Sequence, residues 1–293
     1  MLFVIGIGLS SPKDITLRGL EAIKSSSKVF LEGYTSILME SQKEDLEMLY
    51  EQKVITTDRE MVETQSDEII NDAQKENVAF LVVGDPFGAT THIDLLLRCD
   101  QKNIPYEIIH NVSVMNGIGA CGLSLYNFGQ TVSIPFFTDS WKPTSWLRNI
   151  SQNYRLGLHT LCLLDIKVKE QSEENLARGK KIFEPPRFMT VPTAIQQILS
   201  SLEQDAKMAD DLGPPNKILA IGICRLGAST QAFVGGTLHE LFQANDDVFG
   251  DPLHCLIIIG KCINPIERDF MAKWALDRKR WQEIALRDYN CHD

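Results

Sequence analysis

Residues 78–92 read VAFLVVGDPFGATTH, and the fold class turns on them. Val78 to Val83 is apolar at every position, without the alternation of a half-exposed strand. It reads as a strand buried on both faces of a mostly parallel sheet. Gly84 closes the strand, Asp85 and Pro86 form a turn, and Gly88 lets the backbone double back. Thr90 or Thr91 is placed to cap a helix carrying Ile93 to Leu97. Toward the N-terminus the same punctuation recurs. Leu2 to Ile7 is a strand closed by Gly6, Gly8 and Ser10, and Thr16 caps a helix with Leu17, Leu20 and Ile23 three apart. Val29 to Leu31 is the next strand. A polar helical stretch (43–52), a short strand (54–56) and an acidic, solvated helix (60–74) follow. Beyond the opening segment lie a strand over Tyr106 to Ile109 and the run NVSVMNGIGACG. Strands alternating with helices make this an α/β region.

From Gly129 the texture changes, and the expected domains are 1–133 and 134–293. TVSIPFF is rich in β-formers, and a helix capped by Thr144 carries Trp146, Leu147 and Ile150. LHTLCLLDI is a long strand, and the polar stretch KVKEQSEENLARGKKIFEPPRF a long excursion. A helix follows over 193–202, then a linker ending in GPP at 213–215. KILAIGICRLG is a strand and turn, TQAFVGGTLHELF mainly a helix, and HCLIIIG the final strand. Pro265 starts a C-terminal helix carrying Ile266, Phe270 and Trp274.

The 293 residues are 44% hydrophobic and 23% charged, enough for two cores and too apolar for disorder. Twenty-nine basic against 39 acidic residues give a net charge of −10, the wrong sign for a protein that holds nucleic acid by its phosphates. No apolar run approaches the roughly 20 residues that span a bilayer. The opening LFVIGIG lacks a basic flank and reads as a strand rather than a signal segment. Seven scattered cysteines (99, 121, 162, 224, 255, 262 and 291) show no metal-ligand spacing and fit packing roles in a reducing compartment.

The strand-end turns are where chemistry is expected, because parallel sheets receive ligands there. GIGLS matches two glycines of the dinucleotide fingerprint. The third position is Ser11, Pro12 to Ile15 intervenes before the helix, and Glu32 is a weak stand-in for the usual acidic residue. A phosphate cradle, a plain tight turn and close approach to another cofactor all stay open. Asp85, at the end of a hydrophobic strand, is placed to accept hydrogen bonds from ribose hydroxyls or to face a cation. Ser113 and Val114 can offer backbone groups in the same crevice. His92, His110 and His239 form no catalytic set by spacing and read as structural. No Ser–His–Asp triad, paired carboxylates or GxSxG elbow is present, which favours a reaction whose reactive bond is carried by a cofactor.

With these turns in place, FVIGIGLSSPKDITLRGLEAI (3–23), AFLVVGDPFGATTHIDL (79–95), LCLLDIKVKEQSEENLARGKKIFEPPRFMTVPTA (161–194) and CRLGASTQAFVGGTL (224–238) resemble the diphthine synthase family. The likeness is to its eukaryotic, methyl-ester-forming branch, within the tetrapyrrole methylase-like superfamily. The turns alone would indicate the superfamily, with a small-molecule tetrapyrrole methyltransferase as the alternative; the block at 161–194 is the specific part. The resemblance covers nearly the whole chain. It implies two α/β domains with a cofactor cleft between them and transfer of methyl groups from S-adenosylmethionine to a modified histidine of elongation factor 2. Three go to an amino nitrogen and one to a carboxylate, in diphthamide biosynthesis. By the same resemblance Leu9, Asp85, Gly88, Ser113, Val114, Leu164, Leu226 and His254 contact the cofactor, and the protein is a cytoplasmic homodimer. No metal is implied, and no side chain is named as a base. Ser10, Ser229, Thr230 and Lys261 depart from the family's usual residues, Lys261 with an expected effect of narrowing the mouth of the cleft or of touching acidic groups. The basic residues Arg178, Lys180, Lys181 and Arg187 are candidates for meeting the protein substrate.

Overall fold

Five parallel strands carry the first part of the chain: β1 (Leu2–Gly6), β2 (Lys28–Glu32), β3 (Val54–Thr57), β4 (Val78–Val82) and β5 (Tyr106–Ile109). Their order is β3-β2-β4-β1-β5. The computed structural model describes residues 1–168, 178 and 183–291, and divides the chain into two units. The first is Met1–Gly117 with Ile166–Arg187; the second is Ile118–Asp165 with Phe188–Asp293. None of the helices among the described residues is long and apolar enough to cross a membrane.

In the first unit the strands alternate with α1 (Leu17–Lys24), α2 (Lys43–Tyr50), α3 (Asp67–Lys75) and α4 (Ile93–Gln101), and α5 (Val114–Gly117) follows β5. β4 is buried at every position, as its composition requires. Phe80 and Val82 pack with Ile69 and Ile70 of α3 and Leu95 of α4 on one face. Ala79 and Leu81 share the other with Ile23 of α1 and with Leu46 and Tyr50 of α2. Each such aliphatic side chain contributes about 1.5–3 kcal/mol by leaving water. The chain leaves β1 toward β2 on one side and leaves β4 toward β5 on the other. Helices α1 and α4 cover opposite faces, the arrangement in which parallel sheets receive ligands beyond the carboxyl ends of such neighbouring strands.

Local details depart from the pattern. Thr16 caps α1 by accepting from the Gly19 N–H at 3.0 Å, yet Leu17 is 80% exposed and only Ile23 of the expected stripe is fully buried. The segment expected as one solvated helix is a π-helical turn (Glu60–Thr64) followed by α3, because Val62, Ile69, Ile70 and Ala73 all enter the core. Neither Thr90 nor Thr91 caps α4. The Thr90 hydroxyl donates to the Pro86 carbonyl, and the Thr91 hydroxyl to Glu63.

The second unit holds β6 (Val132–Ile134), α6 (Ser145–Arg155), β7 (Thr160–Leu164), α7 (Val191–Gln204) and α8 (Ala206–Leu212). Then come β10 (Leu219–Cys224), β11 (Ala232–Thr237), α9 (Leu238–Gln243), β12 (His254–Ile258), α10 (Pro265–Met271) and α11 (Arg278–Asp288). The two-residue strands β8 (Ile166–Lys167) and β9 (Arg187–Phe188) form a separate ladder. The main sheet, β11-β10-β12-β7-β6, is antiparallel except for β6 with β7. Three expectations need correction. TQAFVGGTLHELF begins as strand: Ala232 to Thr237 pairs with β10, and the backbone of Gly235 exchanges hydrogen bonds of 2.8 Å with Trp274 and Leu276. Two glycines in a row disfavour helix, and a Cβ on Gly235 would lie 3.3 Å from the Trp281 ring. The linker before GPP contains α8, which Asp205 caps by accepting from the Met208 N–H at 3.1 Å. The C-terminal helix is two helices, with Trp274 between them and Ile266 79% exposed. Most of the polar excursion after Val168, including Lys180 and Lys181, lies outside the described residues.

Candidate cofactor site at the strand ends

Three turns of the first unit meet where β1, β4 and β5 end. Gly8 and Gly84 both hold positive φ angles (82° and 81°), which glycine adopts without penalty. They exchange backbone hydrogen bonds, Gly8 N–H to Gly84 carbonyl at 3.3 Å and Gly84 N–H to Gly8 carbonyl at 2.7 Å. The chain after Gly8 then bends into a short 3-10 turn (Pro12–Asp14), held by the Asp14 carboxylate accepting from the Ser10 and Ser11 N–H groups at 3.0 Å. A dinucleotide cradle needs a helix N-terminus at this point, and the 3-10 turn takes its place. Glu32 is turned inward, 1% exposed, with its Oε1 accepting from the Tyr34 and Thr35 N–H groups, so it is no ribose ligand. Leu9 is half-buried on this loop.

Asp85 is the hub of the second turn. Its Oδ1 accepts from the Phe87 N–H at 2.9 Å, and its Oδ2 from the Asn111 N–H at 3.1 Å. Oδ2 also lies 2.9 Å from Nδ1 of His110. A carboxylate offers about four acceptor positions, which leaves one on Oδ1 for a ligand hydroxyl. Gly88 is as tightly placed: a Cβ there would fall 2.5 Å from the Ser113 Cβ. Ser113 in turn accepts from the Met115 N–H at 3.2 Å and donates its own N–H to the Asn116 side chain at 2.9 Å, so the chain turns into α5 at Val114.

Asn111 was not among the sequence candidates. Its Nδ2 donates to the carbonyls of Gly6 and Asp14, both at 3.0 Å, and fastens the exit of β5 to the exit of β1. An amide directly after a strand is the only local signal, and its partners lie about a hundred residues away. His110, read as structural from spacing, is hydrogen-bonded to Asp85. Leu9, Asp85, Gly88, Ser113 and Val114 therefore belong to one set of joined turns.

The other three candidates share one end of the second unit's sheet. Cys224 registers with His254, and Leu163 with Cys255, so Leu164, His254 and the turn after Cys224 sit on adjacent strands. Leu164 is 7% exposed, Leu226 half-buried. Arg225 locks this corner at a φ of 52°: its Nη1 donates to the carbonyls of Phe249 (2.7 Å) and Asp251 (2.6 Å), its Nε to that of Thr230 (3.0 Å). Its own N–H donates to the Leu253 carbonyl at 2.7 Å. Nε2 of His254 lies 3.0 Å from the Asp251 carbonyl, so Nε2 carries the proton and Nδ1 is an acceptor. Burial lowers the His254 pKa and keeps the ring neutral. Nδ1 is buried with no partner among the described residues, a vacancy that suits a ligand N–H or O–H donor. Each unit thus offers a polar group of its own that suits a nucleoside-bearing cofactor, Oδ1 of Asp85 in the first and Nδ1 of His254 in the second.

Of the departing residues, Thr230 accepts from Arg225, and Lys261 contacts the C-terminal segment. Its ammonium donates to the Asp288 carbonyl at 3.0 Å and lies over the Tyr154 and Tyr289 rings, where it ties down the C-terminal segment.

Comparison with known proteins gives the relationship. The sequence profile of a family described as Tetrapyrrole (Corrin/Porphyrin) Methylases matches residues 1–241. A diphthine methyl ester synthase of Saccharomyces cerevisiae is 54% identical over 288 residues, 98% of this chain and 94% of that protein. One from Neurospora crassa is 52% identical over 289 residues, 99% of each chain. Among solved structures, a candidate diphthine synthase from Entamoeba histolytica superposes with a TM-score of 0.80 at 40% identity, covering 94% of this chain and 99% of its own. A diphthine synthase crystal structure gives 0.79 at 26% identity, covering 97% and 99%. The chain therefore belongs to the tetrapyrrole methylase family, among its diphthine methyl ester synthases.

Proposed function

We propose that this enzyme transfers methyl groups from S-adenosylmethionine to the modified histidine of elongation factor 2 in diphthamide biosynthesis. Three go to the amino nitrogen and one to the carboxylate of a 3-amino-3-carboxypropyl group. The identity to diphthine methyl ester synthases along almost the entire chain is what most directly supports this. The donor, when bound, supplies an electrophilic methyl carbon, so the protein's work is alignment and exclusion of water. Asp85 takes a ribose hydroxyl at the open position of Oδ1. The Gly8–Gly84 turn pair lets the backbone at Leu9 come close, and Ser113 and Val114 bound the same crevice. Leu164, Leu226 and His254 complete the donor's contacts, His254 through Nδ1. Alignment of this kind contributes up to about 7–11 kcal/mol to lowering a bimolecular barrier. The same assignment has the protein acting as a homodimer in the cytoplasm. Tritium from methyl-labelled S-adenosylmethionine should enter elongation factor 2 that carries the aminocarboxypropyl group and should not enter elongation factor 2 that lacks it. Equal labelling of the two would exclude that acceptor.

A further inference from the structure

We infer that His110 is the base that takes the proton from the acceptor nitrogen, held for that work by Asp85; this rests on the methyl-transfer assignment above. The Nδ1 of His110 lies 2.9 Å from Oδ2 of Asp85. An ionised carboxylate only accepts, so the proton of the neutral ring sits on Nδ1 and the lone pair on Nε2. Oδ2 also accepts from the Asn111 N–H at 3.1 Å, and Phe87 packs edge-on against the imidazole at 6.3 Å. The ring orientation is thereby fixed from the same turn that carries the candidate donor contacts Asp85 and Gly88. The His110 side chain is 69% exposed while Asp85 is 15% exposed, so the dyad has a buried anchor and an open working end.

The other histidine on the strand-end turns of this unit does not fit the task. His92 is 2% exposed, and burial lowers its pKa to about 4, so it neither reaches water nor holds a proton at neutral pH. A base for this reaction needs one approach to the acceptor and another to solvent. His110 has the exposure for both.

The chemistry asks for such a group. An alkylamine is an ammonium at neutral pH and must lose a proton before each of the three nitrogen transfers, whereas a carboxylate attacks as it stands. In each nitrogen transfer the proton on nitrogen passes to Nε2 of His110 and on to water. The nitrogen lone pair forms the N–C bond, and the methyl C–S bond breaks with its electron pair going to sulfur. The ester-forming step places no demand on His110.

His110→Gln separates these steps. On elongation factor 2 with the unmethylated acceptor, nitrogen transfer should slow about 100-fold, while ester formation on pre-trimethylated acceptor keeps the wild-type rate. Calorimetric affinity for S-adenosylhomocysteine should not change, and added imidazole should restore nitrogen transfer in His110→Ala. Nitrogen-15 correlation spectra should show His110 protonated on Nδ1. Wild-type nitrogen transfer in His110→Gln, equal slowing of the ester step, or an Nε2-protonated ring would overturn the assignment. A wild-type protein that methylates neither acceptor would instead overturn the functional assignment on which this one rests.

Discussion

Asp85 accepts from two backbone N–H groups besides His110, so the carboxylate builds the turn in addition to being the proposed ligand group. From sequence it could be treated as a ligand group removable without harm to the fold. The structure predicts otherwise: Asp85→Ala strands the N–H groups of Phe87 and Asn111 and should destabilise the protein by about 1–3 kcal/mol in urea unfolding. Asp85→Asn keeps an acceptor and should lose less stability. Both variants should lose calorimetric affinity for S-adenosylhomocysteine. His92 makes a second residue-scale prediction. Its pKa falls from 6.5 to about 4 because burial penalises the charged ring. The unfolded chain therefore takes up the proton first, so stability from the neutral ring is complete above pH 6.5 and drains away as pH falls toward 4. That is roughly 3 kcal/mol. His92→Phe should flatten the acid limb of a stability-against-pH curve; an unchanged limb would assign the loss to other groups. Residues at strand ends were legible because glycine, proline and aspartate punctuate an apolar run. Their partners were not, since Asp85 and His110 lie 25 positions apart.

The parallel strands were readable at the scale of elements because burial on both faces removes polar residues from them. β11 was not, because its register with β10 and the packing of Trp281 over Gly235 override the helical spacing of its apolar residues. The same holds for α8, whose polar sequence hides a capped helix with Leu212 alone buried. Long-range packing also fixes Gly260 after β12. A Cβ there would lie 2.3 Å from the Leu158 carbonyl oxygen, backbone that cannot swing aside. Gly260→Ala should therefore cost at least the about 1–3 kcal/mol typical of overpacking, read as a lowered urea midpoint. A midpoint equal to wild type would mean that this loop relaxes freely.

For the whole molecule, the α/β class was readable from residues 1–110, and the family from the resemblance of the long blocks. The mixed sheet of the second unit was not. Strand direction there depends on which edges pair, a choice that apolar runs such as LCLLD and CLIII leave open. The candidate site divides similarly. The five residues of the first unit sit on punctuated turns that local chemistry marks, whereas Leu164 and Leu226 look like ordinary core until the register of β7, β12 and β10 aligns them with His254. The proposed function joins these parts in one activity, methyl transfer to the modified histidine. The most direct test is the intact mass of elongation factor 2 bearing the aminocarboxypropyl histidine, followed in time with the enzyme and S-adenosylmethionine. Four successive methyl increments are predicted, the last removed by mild alkali as an ester. No increment on a verified acceptor, or an endpoint of three resistant to alkali, would contradict the account.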